Sequence, residues 1–230
     1  MIRDNIARVL DNIAQVCGKI GRDPGEIVLV GVTKYAGAAE VKEAIQAGLK
    51  HIGENKVQDA RVKFLGLEEA AAKVTRHMIG HLQTNKVKQA LEIFDYIQSV
   101  DSEKLAAALE TQAAKINKQI DILVQVNTSG EKQKSGVSPT GALPLIEQIA
   151  RLGHVRLGGL MTIAPMGQDE NVIRKCFADL RLLRDKVNRQ FSHVPNIAMK
   201  YLSMGMTDDF KIALEEGSNM LRIGTAIFKN

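Results

Sequence analysis

The chain has no tryptophan, and aromatic residues of all kinds make up only 4% of its 230 residues. Its core must therefore be aliphatic, and 45% hydrophobic against 25% charged residues is the ordinary balance of a soluble globular domain. Long apolar runs are also missing, since no stretch reaches the roughly 18 residues that a membrane span needs. The opening residues, MIRDNIARVLDNIAQV, mix charges with apolar side chains and lack the apolar centre of a signal peptide. These absences predict a protein without a membrane partner.

Cysteine is almost as scarce as tryptophan. The two cysteines, Cys17 and Cys176, lie far apart in the sequence and inside predicted helices. This placement favours reduced, buried thiols over a disulfide, which is typical of a reducing compartment. Together with the missing leader and membrane span, it predicts a cytoplasmic protein.

Motifs for the common cofactors and metals are missing too. There is no P-loop and no G-x-G-x-x-G, so a nucleotide cofactor has no support. His77 and His81 are four residues apart, but on the predicted strand they would stand roughly 13 Å apart, too far to share one metal ion. The net charge of +5 comes from basic residues scattered among Asp and Glu without interleaved aromatics, so no nucleic-acid partner is expected.

The chain does contain a regular alternation of short β-branched runs and segments with helical periodicity. The predicted strands are 27–33, 51–53, 76–80, 96–100, 120–126, 155–162, 200–204 and 220–224. Predicted helices include 38–47, 85–93, 103–117, 141–152, 171–191 and 208–216, and an additional helix over 3–20 ends at Gly21. Alternating strands and helices indicate a parallel sheet, and eight units favour closure. We therefore predict an α/β fold, a single (β/α)8 TIM barrel over residues 1–230 with an extra N-terminal helix.

Barrels of this kind carry their active sites at the C-terminal ends of the strands, where the first strand ends in Lys34. Lys34 has the same parity as Val28, Val30 and Val32. Apolar neighbours would disfavour its ammonium form and free the amine as a nucleophile toward aldehydes. The alternative is a lysine that extends from the strand end into solvent.

The loops after strands seven and eight are where such barrels commonly bind phosphate. Ser203 follows the seventh strand's apolar run, and Gly224 and Thr225 follow the eighth, so hydroxyls and backbone amides are available as neutral donors. Ordinary turn glycines would explain either segment alone. The occurrence of both segments after these two strands favours a phosphate site.

Arg222 is an unusual residue for a barrel strand, because it shares the parity of Met220 and Gly224. A guanidinium that points into a packed interior keeps its charge and needs a partner. The partner is either an acid such as Glu54 or Asp208, or an acceptor on a bound ligand. A pyridine nitrogen facing the guanidinium would stay unprotonated.

Several segments also resemble a known family, the pyridoxal phosphate homeostasis proteins. The matching segments are VGVTKY at 30–35, GEN at 53–55, HMIGHLQTNK at 77–86, VN at 126–127 with Glu131, Lys134, Ser135 and Gly136, GLM at 159–161, and LSMGMTDDFKIALEEGSNMLRIGTAIF at 202–228. The resemblance spans the whole chain, and the last segment is highly specific. His81 replaces a usual proline, Thr207 a common serine, and the usual glycine after Phe228 is missing.

The resemblance implies a fold-type III barrel like the N-terminal domain of alanine racemases. It implies pyridoxal 5'-phosphate held as a covalent aldimine on Lys34, with Arg222 facing the pyridine nitrogen. Ser203, Gly224 and Thr225 would hold the phosphate, and Asn55 and Met204 would lie near the ring. The remaining motif residues receive no assigned role: His77, Gln83, Asn85, Lys86, Asn127 and Lys134.

The function that the resemblance implies is binding, storage or delivery of pyridoxal phosphate by a monomer, with cofactor-dependent apoenzymes as further partners and no catalytic residues. An amino-acid racemase is the first alternative. Racemisation needs acid/base groups on both faces of the substrate, and besides Lys34 the chain offers Tyr35 or Tyr201. A Schiff-base aldolase without a pyridine ring is the second alternative, and it leaves Arg222 unexplained.

Overall fold

Eight parallel strands form the centre of the protein. The computed structural model describes residues 1–131, 134–165 and 167–229. The strands are β1 Val28–Val32, β2 His51–Glu54, β3 Thr75–Met78, β4 Tyr96–Val100, β5 Ile120–Gln125, β6 Val155–Met161, β7 Ile197–Ser203 and β8 Met220–Ile223. Each pairs with the next in sequence order, and β8 pairs with β1, so the sheet closes into a barrel. The predicted fold class is confirmed, with strand boundaries that differ from the prediction by at most three residues.

Helices surround the barrel and follow its strands. They are α1 Ile2–Lys19, α2 Ala38–Gln46, α3 Val57–Leu67, α4 Val87–Ile93, α5 Glu103–Lys115, α6 Pro139–Ile149, α7 Glu170–Phe191, α8 Phe210–Glu215 and α9 Thr225–Phe228. The extra N-terminal helix α1 is confirmed, and Gly21 beyond its end has a left-handed φ of 67°. Ser102 and Ser138 cap α5 and α6 by accepting hydrogen bonds from the amides of Leu105 and Gly141.

The barrel has an aliphatic layer outside the sheet and a mixed interior. The outer layer packs the helices on the strands, and both cysteines are buried and unpaired. Inside the barrel, Val30, Leu123, Met161 and Met220 form a small apolar cluster. Buried polar side chains share this interior, and they are His77, Gln98, Ser203 and Arg222. Among the residues that the structure describes, no helix is long and apolar enough to cross a membrane.

Candidate cofactor-binding site

A cavity with two lobes opens at the C-terminal mouth of the barrel. The two lobes have volumes of about 270 and 370 Å³ and share Val32, Lys34, Met206 and Arg222. The first, here called the central lobe, is also lined by Asn55, Ile79, Gly80, His81, Gln125, Val126, Asn127, Lys134, Ser135 and Ile163. The second, here called the C-terminal lobe, is also lined by Tyr35, Ala36, Thr207, Asp208, Gly224, Thr225, Phe228 and Lys229.

Lys34 lies in the turn directly after β1 and borders both lobes. Its side chain is exposed, and its Nζ stands 4.9 Å from the centre of the Tyr35 ring. The sequence leaves two possibilities open for this amine, burial by strand-end apolar neighbours or extension into solvent. The structure shows the second, because β1 ends at Val32 and the turn that follows carries Lys34 to the mouth of the cavity.

A buried ion pair supports the backbone just before Lys34. Lys63 on α3 contacts both the Glu54 carboxylate and the Thr33 carbonyl oxygen. The Thr33 hydroxyl donates a 2.6 Å hydrogen bond to the same Glu54 carboxylate, which is 1% exposed. α3 is therefore tied to the turn that presents Lys34. Sequence reasoning missed Lys63, because no motif points to a lysine on an outer helix.

Arg222 on β8 is buried and lies where the two lobes meet. One guanidinium nitrogen donates to the Ser203 hydroxyl at 2.7 Å, and the other to the Thr162 carbonyl oxygen at 2.8 Å. Burial lowers the pKa of Arg222 to about 10, and the nearby carboxylate of Asp209 opposes that shift. Arg222 therefore keeps its charge at neutral pH.

Neither acid that the sequence proposes as a partner of Arg222 forms an ion pair with it. Glu54 pairs with Lys63, and Asp208 is exposed at the edge of the C-terminal lobe. The acid that acts on Arg222 is Asp209, whose side chain is buried and accepts a 2.6 Å hydrogen bond from the Met206 amide. Burial raises the pKa of Asp209, and the Met206 amide and Arg222 oppose that rise.

The turn from β8 into α9 forms one wall of the C-terminal lobe. Gly224 precedes the helix, and Thr225 begins it with an exposed side chain. A Cβ on Gly224 would lie only 3.2 Å from both the side chain and the carbonyl oxygen of Val32, so glycine lets the two backbones approach closely. The first amides of a helix have no acceptor within it, and they are available to an anion.

Ser203 and Met204, two residues proposed from the sequence, do not reach this cavity. Ser203 is fully buried and points into the barrel interior, and Met204 is fully buried in the aliphatic layer. Gly205 then adopts a left-handed φ of 98° and turns the chain. As a result Met206 borders both lobes and Thr207 borders the C-terminal lobe. Thr207 is the hydroxyl residue that the sequence noted only as a departure from the family.

The other motif residues divide between the cavity and its surroundings. Asn55, Asn127 and Lys134 line the central lobe, where Lys134 forms a 2.5 Å ion pair with Glu131. The hydrogen bond and charge of Lys134 hold the pKa of the Glu131 carboxyl below its usual range. Gln83 and Lys86 line a neighbouring groove that also reaches Asn55.

His77 lies apart from the other motif residues, because it is buried inside the barrel. Its partners there are His51 and Gln98. Among the described residues, no three His, Cys, Asp or Glu side chains come together in a way that could hold a metal ion.

The fold and the position of the cavity define the class of protein. A family model described as "Alanine racemase, N-terminal domain" matches residues 5–230. An alanine racemase of Clostridium difficile 630 superposes with a TM-score of 0.78 at 16% identity, covering 99% of this chain and 57% of the racemase. The protein is a barrel of the alanine racemase N-terminal domain class, and at that identity the racemase shows the fold alone.

Relatives of greater similarity narrow this class. A pyridoxal phosphate homeostasis protein of Aquifex aeolicus is 38% identical over 98% of this chain and 96% of the relative, and one of Escherichia coli K12 is 34% identical over 99% and 95%. The chain belongs to the pyridoxal phosphate homeostasis protein family. PipY of Synechococcus elongatus PCC7942, solved with pyridoxal phosphate bound, has a TM-score of 0.86 at 32% identity, covering 99% of this chain and 100% of PipY.

Proposed function

We propose that this protein binds pyridoxal 5'-phosphate at the C-terminal mouth of its barrel and stores or delivers it. The observation that carries the proposal is the meeting of Lys34, Arg222 and the Gly224–Thr225 turn at one cavity. Two relatives support the same function, since the proteins of Aquifex aeolicus and Escherichia coli carry the name of pyridoxal phosphate homeostasis protein, and PipY was solved with this cofactor bound.

The residues of the cavity fit the separate parts of this cofactor. When bound, pyridoxal phosphate supplies an aldehyde that condenses with an amine to a C=N bond with loss of water, and Lys34 offers an exposed amine for this linkage. Arg222 offers N–H donors for the ring nitrogen. The first amides of α9 and the hydroxyls of Thr207 and Thr225 suit the phosphate, and Asn55 borders the lobe proposed for the ring.

This assignment changes two residues of the sequence-based set. Thr207 takes the place of Ser203 as a hydroxyl donor to the phosphate, because Thr207 borders the C-terminal lobe and Ser203 is buried in the interior. Met206 takes the place of Met204 beside the ring, since it borders both lobes. Lys34, Asn55, Arg222, Gly224 and Thr225 keep the roles that the sequence proposes.

The arrangement favours holding the cofactor over turning over a substrate. A guanidinium does not give up its proton to a pyridine, so Arg222 would keep the ring nitrogen neutral and the ring a weak electron sink. Racemisation also needs a second acid/base group opposite Lys34. Of the described residues that line the cavity, Tyr35 is the only tyrosine, and its side chain is 80% exposed.

Tyr201, the other tyrosine offered for a racemase, lies elsewhere. It packs edge-on against Tyr96 at a ring distance of 6.0 Å and lines a separate pocket with Asp121 and Arg156.

The proposed protein is cytoplasmic and monomeric, with one domain over residues 1–230. It has no turnover and passes the cofactor to apoenzymes.

An absorbance spectrum tests the proposed binding. Protein purified from cofactor-replete cells is expected to be yellow, with a visible band that is lost in Lys34→Ala because the C=N linkage cannot form. Lys19→Ala is the matched control, since Lys19 is an exposed lysine at the end of α1. A colourless wild-type protein that also takes up no added pyridoxal phosphate would contradict the proposal, and so would inversion of an L-amino acid by the loaded protein.

A further inference from the structure

A continuous series of side-chain hydrogen bonds crosses the barrel interior and ends at Arg222. Arg222 contacts Ser203 at 2.7 Å, Ser203 contacts the Gln98 amide oxygen at 2.6 Å, and the Gln98 amide nitrogen contacts His77 Nδ1 at 2.9 Å. His77 Nε2 then contacts His51 Nδ1 at 3.1 Å. His51 stands at the start of β2 and is half-buried, whereas the other four side chains are buried. We call these five side chains the interior relay.

Arg222 and the orientation of the Gln98 amide together set the direction of the hydrogen bonds in the interior relay. A guanidinium can only donate, so the Ser203 oxygen accepts from Arg222, and because the Gln98 amide oxygen faces Ser203, the Ser203 hydroxyl donates to it. The Gln98 amide nitrogen must then donate to His77 Nδ1. A neutral His77 therefore carries its proton on Nε2 and donates it to His51 Nδ1.

The same contacts restrict the orientation of the guanidinium. Ser203 and the Thr162 carbonyl oxygen accept from its two terminal nitrogens, at 2.7 and 2.8 Å. Two anchored nitrogens leave a planar group little freedom to rotate. Because Arg222 borders both lobes of the cavity, its remaining N–H groups are the ones available to a ligand there.

We propose that Ser203, Gln98 and His77 are positioning residues for Arg222, and that Arg222 in turn imposes the Nε2–H tautomer on His77. Ser203 acts on a ligand through Arg222 and touches no phosphate. The part that concerns a ligand rests on the proposed binding of pyridoxal phosphate. The tautomer of His77 does not, because it is a property of the protein without a ligand.

NMR of the ligand-free protein with 15N-labelled histidine tests the direction of the relay. The His77 signals, assigned by their loss in His77→Gln, are expected to show a protonated Nε2 and an unprotonated Nδ1. In Gln98→Glu the introduced carboxylate can only accept, so the proton is expected to move to Nδ1. If Gln98→Glu does not fold, Ser203→Ala replaces it as the test. Without the Ser203 hydroxyl the Gln98 amide can rotate, so both neutral tautomers of His77 are expected. An Nδ1–H tautomer in the wild type, or an unchanged tautomer in the folded variant, overturns the proposal.

Binding of pyridoxal phosphate and of pyridoxal, which has no phosphate, tests how Ser203 acts. Ser203→Ala is expected to weaken both ligands at least about tenfold, the effect of one hydrogen bond to a charged group. The matched control is Ser99→Ala, because Ser99 is a buried serine of β4 whose hydroxyl has no partner among the described residues. The control is expected to bind both ligands like the wild type.

The other outcomes of this comparison each have a clear meaning. Weakening of pyridoxal phosphate alone would make Ser203 a phosphate ligand and overturn the proposal, as would unchanged binding of both ligands. A wild-type protein that binds neither ligand would contradict the proposed function instead, and the NMR result would still decide whether the relay has the proposed direction.

Discussion

Arg222 is the residue on which the chemistry of the site depends most. Arg222 is only 4% exposed. Its charge lies near the carboxylate of Asp209 but forms no direct ion pair among the described residues. A buried charge of this kind is costly unless its donors find acceptors, and Ser203 and Thr162 provide two. A ligand with a ring nitrogen would provide a third, so cofactor binding and the stability of the barrel interior are linked through one side chain.

At the same scale, Thr225→Val tests the phosphate position. The substitution keeps the shape of the side chain and removes a hydroxyl at the start of α9. We expect the affinity for pyridoxal phosphate to fall by about 1.5–3 kcal/mol, because a hydrogen bond to a charged group is lost. The affinity for pyridoxal is expected to stay the same, as measured by fluorescence titration.

The control for this prediction is Thr111→Val on α5, because the Thr111 hydroxyl donates to the Ala107 carbonyl oxygen and Thr111 lines neither lobe of the cavity. It is expected to bind both ligands normally. An equal loss of both ligands in Thr225→Val would place Thr225 away from the phosphate.

Sequence reasoning identified individual residues where position and chemistry agreed. Lys34 and Arg222 were predicted from the parity of their strands, and the structure brings both to the cavity, Arg222 from within β8 and Lys34 from the turn after β1. The sequence did not show whether Ser203 and Met204, or instead Met206 and Thr207, would reach the cavity. The left-handed turn at Gly205 decides which of them reach the cavity, and a glycine in a motif does not reveal its φ.

At the scale of elements, α3 and the short α9 are missing from the helices that the sequence analysis names, and α3 is the one that supports the site. The helix Val57–Leu67 contributes Lys63, which holds both Glu54 and the backbone of Thr33 next to the turn of Lys34. A helix prediction from periodicity says which face is apolar. It does not say that a lysine near the middle of the helix extends over a strand end and pairs with a buried acid.

Lys63→Met tests this connection between α3 and β1. We expect the free energy of unfolding to fall by about 3–5 kcal/mol, because Glu54 is left as a buried acid without its partner. Adding Glu54→Gln to Lys63→Met is expected to recover part of the loss. Urea denaturation followed by circular dichroism measures both changes.

The exposed pair of Lys42 and Glu68 provides the comparison for Lys63. The two side chains are 35% and 76% exposed, so Lys42→Met is expected to cost less than about 1 kcal/mol. Equal losses in Lys42→Met and Lys63→Met would mean that the buried pair contributes no more than a surface one.

At the scale of the whole molecule, the count of eight alternating strands and helices was sufficient to predict the closed barrel. The polar interior was not predictable in the same way. His51, His77, Gln98 and Ser203 come from four different strands, and their contacts depend on the register of the closed sheet. Only the three-dimensional structure shows that these residues form one series that ends at Arg222.

The buried histidine of this interior predicts a pH dependence of global stability. Burial, with a smaller effect of His51, lowers the pKa of His77 from 6.5 to about 3. In the unfolded chain His77 therefore binds a proton below pH 6.5, whereas in the folded chain it stays neutral down to about pH 3. The free energy of unfolding falls as pH falls through this window, because the unfolded state binds more protons. The free energy of unfolding of the wild type relative to His77→Gln is expected to fall by about 1.4 kcal/mol per pH unit between roughly pH 6 and 4.

Urea denaturation at several pH values measures this difference. His193→Gln is the control, because His193 is exposed and its removal is expected to leave the pH dependence unchanged. A pH dependence that is the same in the wild type and in His77→Gln would mean that His77 takes up its proton in the folded state at an ordinary pH.

Chemical reduction can trap the proposed covalent bond between Lys34 and pyridoxal phosphate at the mouth of the barrel. Borohydride reduces a C=N bond to a stable C–N bond, so the cofactor stays attached when the loaded protein is digested. Mass spectrometry of the peptides is expected to find the reduced cofactor on Lys34. A reduced cofactor found only on another lysine, such as Lys134, or on no peptide at all, would contradict the account.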